Sequence, residues 1–367
     1  LKWPVIFMVT LGLLLTVFVW VYAPLRTKRL SKKYAKFRAD FQSKHYAIDT
    51  QFNHQELVVK GIQWHYLDEG NPDGQVVLFL HGLSEGCYSW RYVLPKVDHN
   101  YRLIAIDMKG YGRSDLNNGE YNWHYVANQT LEFMDSLGVK KFYVISHDWG
   151  SIIGSVPVSD HPDHILGYVR MEADLVMKGE SNKPPLSVYL QKPQWLLFQN
   201  NWIASYLYQD AGWFIGAIYP PRMKTPLKQI DRDYLTYEYS RPGVATMNPK
   251  YFLARNWDLG TAIGKICKNN FPFPVLQLQA DSDPAQPKSI FIDAATECTN
   301  VQIEWITNAS HFDNFDQPEQ VADAINRFLK ARFQYGLARQ SKTSYRPYPR
   351  SHRPVALTLR SGAFYLG

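Results

Sequence analysis

The chain opens on an almost unbroken apolar run, continues through a polar stretch to about Gln51, and then alternates short apolar runs with longer amphipathic ones. The short runs predict strands at Leu57–Lys60, Ile62–Leu67, Val76–Leu80, Arg102–Asp107, Phe142–Ile145, Leu166–Met171, Val275–Gln279 and Val301–Ile306. Helices are expected at Tyr121–Ser136, Ser151–Ser159 and from Pro318 to about Phe333. Apolar strands alternating with helices imply an α/β architecture, a mostly parallel sheet with helices on both faces. The rhythm breaks over 174–264, a stretch rich in Trp, Tyr and Pro and punctuated by Pro184-Pro185 and Pro220-Pro221. An insertion after the sixth strand is most simply a helical lid over the carboxyl ends of the sheet. The core therefore divides into a first half, 52–173, and a second half, 265–335.

The first apolar run, 3–25, is long enough to cross a hydrocarbon layer of about 30 Å at about 1.5 Å per residue. The basic cluster follows the run, beginning at Arg26, so a retained signal anchor is expected rather than a cleaved peptide. The positive-inside rule then puts the catalytic domain on the cytosolic side of a single-pass protein, as at the endoplasmic reticulum. The sequons at Asn128 and Asn308 would matter only in the reverse orientation. Because the chain opens on Leu1 rather than Met, a native start further upstream is expected. The formal charge of +7 does not point to a nucleic-acid partner, because the excess sits at the two ends. One cluster lies in the juxtamembrane linker, 26–51, and suits anionic lipid; the other lies in a basic, disordered tail, 336–367. Cys87, Cys267 and Cys298 are too scattered for a disulfide framework or a metal site. No cofactor is expected, since no Gly-rich phosphate loop is present.

Chemistry concentrates at Val144-Ile145-Ser146-His147-Asp148-Trp149-Gly150. A strand ends there and a helix begins, with small residues two positions either side of Asp148, the spacing that a strained nucleophile elbow requires. An Asp at a strand end is also an ordinary helix N-cap. What favours catalysis is the company it keeps: His81-Gly82-Leu83 after the third strand, Asp283 after the seventh, and His311 after the last.

Several runs resemble the epoxide hydrolase and haloalkane dehalogenase branch of the α/β-hydrolase superfamily, from about Phe52 to Phe333. His81-Gly82-Leu83-Ser84-Glu85 with Tyr88-Ser89-Trp90-Arg91-Tyr92 is similar to the epoxide hydrolase HGFPE…YSWRY stretch. Asp107 to Asp115 resembles its D-x-R-G-Y-G-x-S-D loop, and His147-Asp148-Trp149-Gly150 matches both branches. The early anchor resembles that of membrane-anchored animal epoxide hydrolases. The resemblance implies an α/β-hydrolase fold and a nucleophilic Asp148 that attacks an sp3 carbon to give an alkyl ester. It further implies that His311, oriented by Asp283, activates the water that cleaves the ester, with the amides of Leu83 and Trp149 as oxyanion hole. Glu172, after the sixth strand, is the rival to Asp283.

The leaving group separates the readings. Epoxide opening needs an acid, which the family supplies as two lid tyrosines. Gln194 or Trp195 stands at the first of these positions, and Tyr251 is the candidate for the second, with a one-residue shift toward Phe252. A halide needs N–H donors, for which Trp149 and Trp195 are candidates, although Leu83 replaces the halide-binding Asn of many dehalogenases and Ser84 replaces the usual Pro. The favoured expectation is a hydrophobic, lipid-derived epoxide converted to a vicinal diol. Haloalkane dehalogenation is the alternative, and ligand binding without turnover is the third.

Overall fold

The computed structural model describes residues 10, 17–49, 51–83, 85–116, 119–173, 198, 200–253, 272–284 and 301–340. Two compact units are formed, Leu1–Phe328 and Leu329–Gly367; the sheet and the site lie in the first.

Eight strands form one sheet: β1 (His54–Val59), β2 (Ile62–Gly70), β3 (Val76–Leu80), β4 (Arg102–Ile106), β5 (Phe142–His147), β6 (Ile165–Met171), β7 (Val275–Ala280) and β8 (Val301–Ile306). Their order is β1-β2-β4-β3-β5-β6-β7-β8. β2 runs antiparallel to both β1 and β4, and every other pairing is parallel. The turn between β1 and β2 is Lys60-Gly61, both at positive φ (49° and 80°), the left-handed pair that a two-residue hairpin turn requires. β3, β5 and β7 are buried at every position, as expected of parallel strands covered on both faces.

Helix α1 (Ala23–Asp49) precedes the sheet, α2 (Trp123–Ser136) leads into β5, and α3 (Trp149–Asp160) follows it. Asn122 caps α2 by accepting from Tyr125 N at 2.7 Å. Between β6 and β7 come α4 (Asn201–Tyr208), α5 (Ala211–Ile218), α6 (Gln229–Tyr239), α7 (Val244–Met247) and α8 (Lys250–Leu253). After β8 come α9 (Asp313–Asp316) and α10 (Pro318–Gln340).

Three sequence expectations meet the structure differently. The stretch 26–51, expected as a linker, is helical from Ala23 to Asp49, and its inner face packs on the lid. Of the expected anchor, residues 3–9 and 11–16 lie outside the described residues; among those described, no helix is long and apolar enough to cross a membrane. The expected tail is helical as far as Gln340, and its remainder lies outside the described residues.

β3 sits between β4 and β5, so the chain leaves it first to one side and then returns to the other. Ligands of open α/β sheets bind at the carboxyl ends of strands where the order reverses in this way. The loops after β3 and β5 carry Leu83 and Asp148 to that crevice.

Candidate active site

Asp148 joins β5 to α3 with φ 47° and ψ −115°, a conformation that strains any side chain with a Cβ, at a cost of about 1–3 kcal/mol. The turn is possible because its neighbours are small. A Cβ on Gly150 would collide with the carbonyl oxygens of Leu80 and His81. Gly82 is equally constrained: a Cβ there would sit 2.8 Å from the Asp148 Cβ and 2.9 Å from His147 Nδ1. Ser146 tucks its hydroxyl against Ser151 Oγ and Tyr168 OH, each at 3.1 Å. Asp148 makes no side-chain capping bond to α3, so the N-cap alternative does not describe it. Its Oδ1 instead accepts from Leu83 N at 2.8 Å, and 23 % of its side-chain surface remains open.

His311, on the loop between β8 and α9, faces two carboxylates. Its Nε2 lies 3.4 Å from Asp148 Oδ2, and its Nδ1 lies 2.9 Å from Asp283 Oδ2. Burial opposes a charge on the ring, but Asp283, followed by Asp148, overrides it and raises the imidazole to about 10. Burial likewise pushes the Asp148 carboxyl up, and His311, His147 and the Leu83 N–H together hold it below the ordinary carboxylate range. At neutral pH these influences favour imidazolium at His311 and carboxylate at Asp148.

Glu172, at φ 49° after β6, reaches the same cluster. The ligating atoms of Glu172, Asp283 and His311 all lie within 4.8 Å of one another. Glu172 accepts from Ala280 N at 2.5 Å and from Gln279 Nε2, and shares a hydrogen bond with Asp283. Burial, then the charges of Asp313 and Asp283, raise it well above the usual range, which favours its neutral form behind Asp283. The two acids that the sequence offers as rivals are therefore stacked, with Asp283 touching the histidine. Another buried trio, His65, Cys87 and Asp107, has metal-ligand chemistry. Its carboxylate, however, is taken up by Cys87 N at 2.7 Å, Arg113 N at 2.8 Å and His65 Nδ1 at 2.6 Å, which ties down the loop 107–115.

Two residues without an assigned role connect the three loops. Glu85 accepts from Gly82 N and lies 3.1 Å from His147 Nδ1, while His147 Nε2 donates to the His311 carbonyl at 2.7 Å. Burial disfavours the His147 cation, but Glu85 outweighs it and raises the ring to about 9. Their presence in the HGLSE and HDWG runs was the available signal; the bridging geometry was not.

Tyr251 OH donates to Lys109 O at 2.6 Å, which ties it to the loop 107–115. Phe252 packs on Trp149 at 4.9 Å instead. Trp149 is buried, at the first position of α3. Trp195 and Ser84 lie outside the described residues. The phenols that feel the Asp148 charge are Tyr208 and Tyr219 of the lid and Tyr111 of the core, each raised mainly by burial. Tyr208 is fully buried at the end of α4, 6.0 Å from the Tyr239 ring, and its hydroxyl makes no hydrogen bond among the described residues.

A strained acid on the elbow, a histidine paired to it and a second acid behind define a member of the hydrolases built on this sheet. Residues 75–318 match the family described as the alpha/beta hydrolase fold, and the chain belongs to that family. Within it the chain is similar to proteins named epoxide hydrolases. Epoxide hydrolase 2 of Caenorhabditis elegans is 28 % identical over 316 residues, 81 % of this chain and 82 % of that one. The crystal structure of an epoxide hydrolase from Vigna radiata is similar with a TM-score of 0.67 at 25 % identity, covering 77 % of this chain and 99 % of its own. A haloalkane dehalogenase loop variant from Bradyrhizobium elkanii also gives 0.67, at 19 % identity over 78 % of this chain and 99 % of its own, and shows the shared fold alone.

Proposed function

We propose that the protein is an epoxide hydrolase that works through an ester on Asp148. The observation that carries this reading is the placement of His311 between Asp148 at 3.4 Å and Asp283 at 2.9 Å, with Leu83 N on the nucleophile's other oxygen at 2.8 Å. A carboxylate is already charged at neutral pH, so Asp148 needs no base to attack. One of its oxygens bonds to an epoxide carbon as the ring C–O bond breaks, and the departing oxygen, still attached to the substrate, takes a proton from a lid phenol. The relatives' names supply the substrate class, a small-molecule epoxide.

Esterification then changes the histidine. The ester has no negative charge, so one of the two influences that keep the proton on His311 disappears. His311 gives up that proton, which by way of solvent restores the lid phenol, and becomes the base for water. The resulting hydroxide adds to the Asp148 carbonyl carbon while the Leu83 and Trp149 amides receive the oxyanion. Collapse breaks the bond from the acyl carbon to the substrate oxygen, which His311 protonates to release a vicinal diol, and the Asp148 carboxyl then passes its own proton to His311, restoring carboxylate and imidazolium.

The test is intact-protein mass spectrometry of His311→Gln after exposure to a lipophilic epoxide. A gain equal to the whole epoxide, mapped to Asp148, is expected. With a haloalkane offered separately, an adduct lacking the halogen would move the assignment to dehalogenation. A folded variant that gains no mass from either would overturn the Asp148 chemistry.

A further inference from the structure

Helix α1 has two longitudinal faces. Ala23, Leu30, Tyr34 and Phe41 are buried, Phe37 is partly so, and their spacing places them on one stripe, turned to the lid. Lys28, Arg29, Lys32 and Lys36 recur at the complementary helical spacing and are all exposed. No acidic residue occurs from Val17 to Ala39.

At the start of this helix the surface becomes apolar and aromatic. Trp20 is 76 % exposed, Leu25 62 %, Tyr22 54 % and Trp202, on lid helix α4, 48 %. Ring contacts join Tyr22 to Trp202 through Phe18, which lies 5.5 Å from the first and 6.2 Å from the second. Arg26 joins it to the lid backbone, donating to Tyr206 O at 2.8 Å with its guanidinium 4.1 Å above the Tyr206 ring. A groove of about 500 Å³ opens between the two helices, lined by Val19, Ala23, Thr27, Trp202, Ser205 and Tyr206.

Large apolar side chains are seldom left together in water without a partner. Trp and Tyr settle at the boundary between lipid and water, and exposed Lys and Arg beside them attract anionic headgroups. An acidic polypeptide or a nucleic acid would match the basic stripe but leave Trp20, Leu25 and Trp202 in water.

We propose that this outer face of α1, together with Trp202 of the lid, rests on the surface of an anionic lipid bilayer. The helix that braces the lid is then itself held by lipid, and the lid is fixed relative to the membrane. This contact is independent of the chemistry assigned to Asp148.

The experiment uses the full chain with Trp202→Cys carrying an environment-sensitive fluorophore, and the equally treated parent chain to subtract labelling elsewhere. Both are reconstituted in phosphatidylcholine vesicles, with or without about one third phosphatidylserine. A several-fold stronger, blue-shifted emission is expected only with phosphatidylserine. Adding Lys28→Glu, Arg29→Glu, Lys32→Glu and Lys36→Glu together should abolish the shift. High salt, which screens exposed charges, should reverse it without any substitution in the stripe. Equal emission in the two vesicles would overturn the proposal. So would a shift that follows protein density, which would indicate a second copy, or one produced by polyglutamate without lipid. The probe needs no substrate, so its failure while Asp148 still forms an ester would remove the lipid contact alone.

Discussion

At the scale of single residues, the stacking of Glu172 behind Asp283 yields a prediction that separates their roles. Glu172, whose neutral form is favoured, shares a hydrogen bond with Asp283, and Asp283 Oδ2 faces His311 Nδ1. Glu172→Gln keeps a donor of the same shape, so kcat should stay within several-fold of the parent, whereas Glu172→Leu should lose about ten-fold or more. Asp283→Asn offers the histidine the wrong partner and should fall by about two or more orders of magnitude. A dead Glu172→Gln beside an active Asp283→Asn, measured as steady-state diol formation, would reverse the assignment. The lid phenols give a second contrast. Tyr208→Phe should slow ester formation by at least about ten-fold in the His311→Gln background, since general acids contribute roughly 10²–10⁴. Tyr251→Phe should change it little, because that hydroxyl is committed to Lys109 O. Equal rates for Tyr208→Phe and its parent would remove Tyr208 from the chemistry. Asp148, His311 and Asp283 were legible in the sequence because each follows a readable strand end. Tyr208 was not, since helix register decides which lid phenol turns inward.

Among the elements, the strands read clearly because β3 is apolar at every position and β5 and β7 at four of six, a consequence of being covered on both faces. Helix α1 did not read as a helix, because only a thin stripe of it is buried and the basic face dominates its composition. Its attachment to the lid is nevertheless specific. Tyr34 OH donates to Asp210 Oδ1 and accepts from Gly212 N at 2.8 Å, at the start of α5. Arg38 donates to Ser240 O at the end of α6, and Phe41 stacks on Tyr237 at 4.9 Å. Tyr34→Phe leaves the Gly212 N–H and the Asp210 carboxylate short of a partner, a loss of about 1–3 kcal/mol. For a domain of this size that corresponds to a thermal midpoint lower by roughly 2–4 °C per kcal/mol. An unchanged midpoint by differential scanning calorimetry would mean that α1 contributes no stability to the lid.

For the whole molecule, the buried charges set a direction for stability against pH. Burial pushes up the Asp148 carboxyl, but its hydrogen bond from His311 and nearby positive charge overcome this and lower it. Its contribution is present above the unfolded value near 4 and disappears as pH falls through the folded one. His311 is raised to about 10 and His147 to about 9 despite their burial. Theirs is complete below about 6.5, the unfolded value, and is lost as pH rises toward those limits. Asp313 and Glu238, each raised to about 7 chiefly by burial, retain protons that the unfolded chain has released, so they too favour the folded state less as pH rises. These four groups slope the same way above pH 5, and the maximum of stability should sit on the acid side of neutral. A series of thermal midpoints should peak near about pH 5 and decline toward pH 10. His311→Gln removes a group that holds its proton across most of that interval, so its decline from neutral to pH 10 should be shallower than the parent's. A parent curve rising from pH 6 to 10 would contradict the placement of imidazolium between Asp148 and Asp283. The same series read as activity carries a complementary demand, since His311 must be neutral to accept a proton from water. Diol formation should therefore gain from alkaline pH in the ester-cleaving step while the fold loses stability, setting the working range between the two.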